Sequence, residues 1–283
     1  MKNMFLRFPG GKPKALTFSY DDGVVQDQRL AEIFDKYGMK ATFNLNCEGT
    51  RKYSHTKEQI HKYFLSKGHE VAVHGAFHRA NGNIRPIEGI REVLDCRLEL
   101  EEKCGQIIRG MAYPGTGITL MDGFGSYEQI KNYLTELGIV YARTLGGDND
   151  SFLLPRDFHA WMPSAHHTNP KMMEYIDKFL KLDLSINIYH ERRGPRLLYI
   201  WGHSYEFDNN RNWELMEEIC QKLAHNDEIW YATNIEIYDY IQAYKSLYHS
   251  ADGSMIYNPT LLTVWMDVDG TLHSIQPGET LHI

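Results

Sequence analysis

Two hydrophobic regimes alternate along this chain: short apolar runs, and longer stretches with apolar residues three or four apart. The short runs at 14–19, 41–46, 70–74, 107–113, 139–145, 197–202 and 229–232, with a briefer one at 158–162, read as strands. Between them, Leu30, Ile33, Phe34 and Tyr37 mark a helix over 27–37 that stops at Gly38, with Asp27 placed to cap it. A second helix spans 58–67 before Gly68, and Pro86 opens a third that is expected to turn Ile87, Ile90, Leu94 and Leu98 inward. Ser126 and Gln129 have capping-box spacing ahead of Ile130, Leu134 and Leu137. Further helices are expected to about 182, over 212–224 and over 234–248. About seven β–α repeats predict an α/β fold with a parallel sheet covered by helices, and fit a distorted or incomplete (β/α) barrel better than an open sheet.

The pattern changes after His249. Alternating apolar residues over Leu262–Val268 and Thr271–Ile275 flank Asp269-Gly270, which predicts a small C-terminal antiparallel β appendage. The expected division is a barrel domain over 1–249 and the appendage over 250–283. The appendage is expected to act as a lid on one end of the barrel; a carbohydrate-binding role is the other reading. Its aromatic residues suggest a self-contact, hence a homo-oligomer through this segment.

Bulk properties narrow the partners. A net charge of −7 without a Lys/Arg block argues against nucleic acid or an anionic membrane. No apolar stretch approaches the roughly 20 residues that cross a bilayer. The first eleven residues lack the apolar segment of a signal peptide, so a cytoplasmic location is expected. Cys47, Cys96, Cys104 and Cys220 are scattered and read as reduced thiols.

The chemistry concentrates where strands end. Leu16-Thr17-Phe18-Ser19-Tyr20-Asp21-Asp22-Gly23 is an apolar run that stops at two adjacent carboxylates. Such a pair makes sense if one carboxylate binds a cation and the other stays free as a proton acceptor. His74 and His78 follow another strand; on a regular strand they stand too far apart for one ion, but a turn after His74 would let both reach it.

Thr17-Phe18-Ser19-Tyr20-Asp21-Asp22-Gly23 and His74-Gly75-Ala76-Phe77-His78 together resemble the first two motifs of the polysaccharide deacetylase (NodB-type, carbohydrate esterase) family. The resemblance extends with gaps over about 12–248. It implies a distorted (β/α) barrel and a divalent metal, zinc foremost with Co²⁺, Ni²⁺ or Mn²⁺ as alternatives, held by Asp22, His74 and His78. Asp21 would then be the general base toward a water polarised by the ion. His203, in Tyr199-Ile200-Trp201-Gly202-His203, matches the family's last motif and would protonate the leaving group.

The third family motif departs from its pattern. Ala112 stands near the position of the arginine that pairs with the base, leaving Arg109 in the same strand and Arg143, near the end of the next, as substitutes. The turn from Tyr113 through Gly115 to Thr116 could give a backbone N–H to the developing oxyanion. Asp157 and Trp161 occupy the region where the family places a residue orienting the acid histidine and one lining the pocket. His166 and His167 are candidate substrate contacts.

The resemblance implies a hydrolase removing acetyl groups, N-acetyl foremost, from a small or oligomeric acetylated saccharide. The unfilled arginine position leaves open hydrolysis of a non-peptide C–N bond in a small amide or cyclic ureide. A non-catalytic carbohydrate-binding protein is the reading of another class; the spare base beside a metal ligand argues against it.

Overall fold

A computed structural model of the chain describes residues 2–47, 54–119, 126–145, 148–185 and 193–283. Fourteen strands and eight helices organise these residues. The barrel strands are β2 (Lys14–Asp21), β3 (Ala41–Leu45), β4 (Glu70–Val73), β5 (Gly110–Ala112), β6 (Tyr141–Arg143), β7 (Ala165–His166), β8 (Arg196–Gly202) and β9 (Ile229–Tyr231). They follow β1 (Met4–Arg7) and precede β10 (Tyr248–His249), β11 (Met255–Tyr257), β12 (Val264–Val268), β13 (Thr271–Ile275) and β14 (Thr280–His282). The helices are α1 (Gln26–Tyr37), α2 (Lys57–Gln59, continuing irregularly to Lys67), α3 (Pro86–Cys104), α4 (Tyr127–Glu136), α5 (Met172–Leu180), α6 (Tyr205–Asn210), α7 (Trp213–Leu223) and α8 (Asn234–Lys245).

The sheet runs β6-β5-β4-β3-β2-β8-β7, every pair parallel, with β9 on the lower half of β2. All eight residues of β2 are buried, as helices on one face and barrel interior on the other require. A parallel bridge between Arg143 and Trp161 continues to β7 and so to β8, which curls the sheet back on itself. This is the distorted (β/α) barrel that the alternating pattern predicts. Residues 158–162, expected as a strand, form a short 3-10 turn at Phe158–Ala160 and pair only through Trp161.

Helix ends follow local chemistry. Ser126/Gln129 and Thr233/Glu236 form capping boxes, and Gly38 and Gly105 terminate α1 and α3 in the left-handed region. Asp27 does not cap α1. It is fully buried inside the first turn and accepts from Ser204 Oγ at 2.6 Å.

The inward face of α3 also differs from expectation. Ile87 and Leu98 are 59% and 58% exposed and Leu94 is exposed too, while Gly89, Glu92, Val93, Cys96, Leu100 and Cys104 are buried. The stripe is rotated because Gly89 lies against the Tyr133 ring, where a side chain would collide, and because Glu92 turns inward to hold the 75–79 loop.

The C-terminal region forms two small antiparallel sheets, β1-β12-β13 and β10-β11-β14. The expected Asp269-Gly270 hairpin joins β12 to β13, but the N-terminal Met4–Arg7 supplies the third strand of that sheet, so the two ends of the chain meet there. Arg7 and Arg193 both pair with Asp267, and Tyr240 Oη donates to the Arg7 carbonyl. These anchors lie beside the starts of β2 and β8. At about 3.3 Å per residue, the start of β2 is ~23 Å from Asp21, so the appendage covers the end of the barrel away from the two aspartates.

A buried polar network seats α8 in the barrel. Glu70 accepts from Tyr141 Oη at 2.7 Å, Thr42 Oγ1 at 2.8 Å and the Ile235 N–H at 2.9 Å. Burial nevertheless pushes its pKa from 4.5 up to about 7. A carboxyl that holds its proton more tightly when folded contributes stability below pH 4.5 that is lost as the pH rises toward 7. Glu70→Gln is therefore expected to flatten the fall of unfolding free energy across that window, measured by urea titration at a series of pH values. An unchanged slope would remove Glu70 as its source.

Candidate active site

β2 delivers Asp21 and Asp22 to the C-terminal rim of the barrel, where loop chemistry collects in this fold. Both carboxylates are buried, at 1% and 4% exposure, so each requires a compensating partner. Asp21 receives Arg143, whose guanidinium Nη2 donates to Oδ2, and Asn44, whose Nδ2 donates to Oδ1 at 2.8 Å. The guanidinium lies over the Trp201 ring, 4.4 Å from its centroid. Burial alone would raise the Asp21 pKa, but the charges of Arg143, His74 and His203 outweigh it and hold the carboxylate below its ordinary range.

Asp22 faces the histidines instead. Its φ of +84° turns the chain out of the strand, so that neighbouring side chains serve different partners. Asp22 Oδ1 lies 3.2 Å from His78 Nε2 and 3.6 Å from His74 Nε2. Two donors each about 2.1 Å from a tetrahedral ion stand ~3.4 Å apart, so these three atoms have the spacing of ligands to one metal. The His74 Nδ1 side meets the Ala112 carbonyl at 2.9 Å, which leaves Nε2 unprotonated toward the site, and burial keeps the ring neutral. The donor set therefore fits a divalent cation.

The turn between the two histidines has its own supports. Gly75 has φ +91°, and a Cβ there would stand 2.9 Å from Glu92 Oε2. Buried Glu92 accepts from the Phe77 N–H at 2.8 Å and binds the Arg79 side chain, which fixes the loop that carries His78. Asn46 Nδ2 donates to the Asp22 carbonyl at 3.2 Å.

His203 follows β8 on the same rim, close enough to Asp21 and Asp22 to respond to their charge. Its Nδ1 meets Glu206 Oε1 at 3.3 Å. Burial lowers the imidazole pKa, but Glu206 and the two aspartates more than offset this and raise it. The Asp27–Ser204 hydrogen bond ties the residue after His203 to α1.

Other expected site residues lie elsewhere. Arg109 pairs with Asp239 at 2.9 Å on α8 rather than with Asp21. Asp157 accepts from Lys131 and Tyr127 at 2.7 and 2.8 Å, so Glu206 and not Asp157 meets His203. Trp161 is 1% exposed among Tyr141, Phe158 and Tyr199, which makes it core rather than pocket wall. The Tyr113 N–H donates to the Arg143 carbonyl at 3.0 Å and is spent there, while Gly115 sits exposed in the following turn. His167 is buried between Tyr20 and Phe207 and offers no surface to a substrate.

Sequence reasoning missed Asn44, Asn46, Glu92 and Glu206. Thr42 and Asn44 on β3 and Asn46 just after it do alternate, a period-2 signal for one polar face, and Glu206 stands three residues after His203 on a helical turn.

Arg143→Met is expected to destabilise the fold by about 3–5 kcal/mol, because it strands a buried carboxylate. Urea unfolding near neutral pH measures this, and a change below about 1 kcal/mol would mean that Asp21 has another adequate partner.

Residues 9–140 match the family model described as polysaccharide deacetylase. No curated protein sequence matches the chain. The fold is similar to the Xyl-CE4 domain of a multidomain xylanase from the hindgut metagenome of Trinervitermes trinervoides, at 16% identity and TM-score 0.51, over 82% of this chain and 92% of that one. It is also similar to the chitin deacetylase of the fungal pathogen Colletotrichum lindemuthianum, at 15% identity and TM-score 0.50, over 80% and 87%. A match to the Streptococcus pyogenes deacetylase PplD, at 19% identity and TM-score 0.40, covers 46% of this chain and 55% of that one, about half its length. The two likenesses at TM-scores of 0.50 and 0.51 speak for the fold alone, and over residues 9–140 the chain is similar to the polysaccharide deacetylase family.

Proposed function

We propose that the chain is a metal-dependent hydrolase that removes acetyl groups, N-acetyl foremost, from a small or oligomeric saccharide. The observation that carries this reading is the division of labour between Asp21 and Asp22. One carboxylate is held ionised by an arginine, and its neighbour is grouped with two imidazoles at ligand spacing.

A divalent ion held by Asp22, His74 and His78, zinc foremost, would supply Lewis-acid polarisation at the acetyl carbonyl. Asp21 would take the proton from the attacking water; the Arg143 charge keeps it ionised, and Asn44 fixes its orientation. His203 would hand a proton to the leaving nitrogen or oxygen, and Glu206 holds the imidazole and favours its protonated form. One of the grounds for a cyclic ureide, beside the unusual middle segment, was the unfilled arginine position. Arg143 now stands against the base, which favours acetyl hydrolysis.

Asp21→Asn is expected to lower acetate release from N-acetylated oligosaccharides by about 10²–10⁴-fold while the protein keeps its ion. Chelation is expected to abolish release and zinc or cobalt to restore it. No acetate from any acetylated sugar by the zinc-loaded protein would overturn the proposal.

The pH profile supplies a second check. A lowered Asp21 pKa puts the acid limb of kcat/KM below the ordinary aspartate range, and a raised His203 pKa puts the alkaline limb above the ordinary histidine range. Glu206→Gln removes the anion that stabilises the imidazolium, so the alkaline limb should move to lower pH. A limb that stays in place would separate Glu206 from the acid.

A further inference from the structure

A second cluster of ligand-type side chains lies beside His203. His166 Nε2 and His167 Nε2 each stand 3.2 Å from the same carboxylate oxygen, Glu206 Oε2. Neighbouring residues of a regular strand point to opposite faces, but β7 ends at His166 and both rings fall on one side, with centroids 4.6 Å apart. Both rings are close enough to the carboxylate to interact with it, but neither contact is a well-aligned hydrogen bond. Glu206 Oε2 and the His167 Nε2 atom are buried with no hydrogen-bond partner among the described residues, although only 3.2 Å separates them. The His167 side chain is 1% exposed, so an unmet nitrogen there costs about 1–3 kcal/mol.

The far side of each ring points to the missing neighbour. His166 Nδ1 lies 2.7 Å from Thr168 Oγ1, and His167 Nδ1 lies 3.3 Å from Tyr20 Oη. A hydroxyl oxygen can accept an Nδ1–H, which leaves an Nε2 lone pair for a metal. The Thr168 N–H, which can only donate, reaches His166 Nδ1 at 3.2 Å and favours a proton on Nε2, so an ion at His166 would displace that proton. The 3.2 Å separations again approach the ~3.4 Å edge of a tetrahedral site. His167 is held by stacking on Phe207, 4.3 Å between centroids, and Gly202 leaves the room that any side chain would take from it. His166 and Glu206 keep about a fifth to a quarter of their side-chain surface open, giving an ion a way in.

We propose that His166, His167 and Glu206 bind a second divalent cation of the zinc class, separate from the Asp22–His74–His78 set. Two imidazoles and one carboxylate select a borderline ion such as Zn²⁺ or Co²⁺ over Mg²⁺ or Ca²⁺. Glu206 bridges this ion and the acid histidine: Oε2 faces the ion and Oε1 faces His203 Nδ1 at 3.3 Å.

The test is ion content. Full-length protein is stripped with a chelator, dialysed against Zn²⁺ and assayed by atomic emission as wild type, Asp22→Asn and His166→Gln; folding is checked by circular dichroism. Two equivalents are expected in the wild type and one in each variant, with the His166→Gln loss appearing as at least about 100-fold weaker binding of the second equivalent. Glu206→Gln, which keeps side-chain volume, should reproduce that loss. A single wild-type equivalent that Asp22→Asn removes and His166→Gln retains would overturn the second site. A single equivalent lost in His166→Gln and kept in Asp22→Asn would uphold it and overturn the first ligand set.

Discussion

The structure is constrained most by the need to compensate two adjacent carboxylates at the buried end of β2. Removing such charges from water costs several kcal/mol each even after relaxation. The chain meets that cost with Arg143 on Asp21 and the two imidazoles on Asp22. Arg143 is on β6, four strand positions from β2 in the order β6-β5-β4-β3-β2. In a flat sheet that separation would be about 19 Å, beyond the reach of an arginine. Only a sheet curled into a barrel brings the two side chains together across its interior. The ion pair and the fold therefore imply each other.

Backbone strain is placed where the chain must turn to bring the Asp22, His74 and His78 side chains together. Asp22 and His78 both adopt positive φ, as does Gly75 between them in sequence. Such conformations cost of order 1–3 kcal/mol at non-glycine residues and persist where the surroundings over-determine them. Here the surroundings are Asn46 on the Asp22 carbonyl and Glu92 on the loop before His78. The same demand on Glu92 rotates α3 away from its most apolar stripe and leaves Ile87 and Leu98 exposed.

The two ends of the barrel perform separate tasks. The rim at the strand C-termini carries Asp21, Asp22, His74, His78, Arg143 and His203. The opposite end carries the appendage, anchored through Asp267 on Arg7 and Arg193. Because the N-terminal strand completes the β1-β12-β13 sheet, the appendage joins both ends of the chain instead of hanging from one.

The sequence by itself determined most of the strand–helix alternation of the barrel, though not β1, β7 or α6, together with the C-terminal hairpin and an Asp-Asp and a His-x-x-x-His motif each at a strand end. These are local matters of periodicity, turn residues and motif spacing, and local chemistry decides them. Tertiary structure alone decided which arginine meets Asp21, why Glu206 rather than Asp157 faces His203, and that Trp161 and His167 are buried. Each depends on which residues far apart in sequence meet after the sheet curls, as with Arg143 and Asp21, 122 positions apart. The appendage's position had the same origin: a four-residue N-terminal strand carries no sign of its partner until both ends of the chain are placed in space.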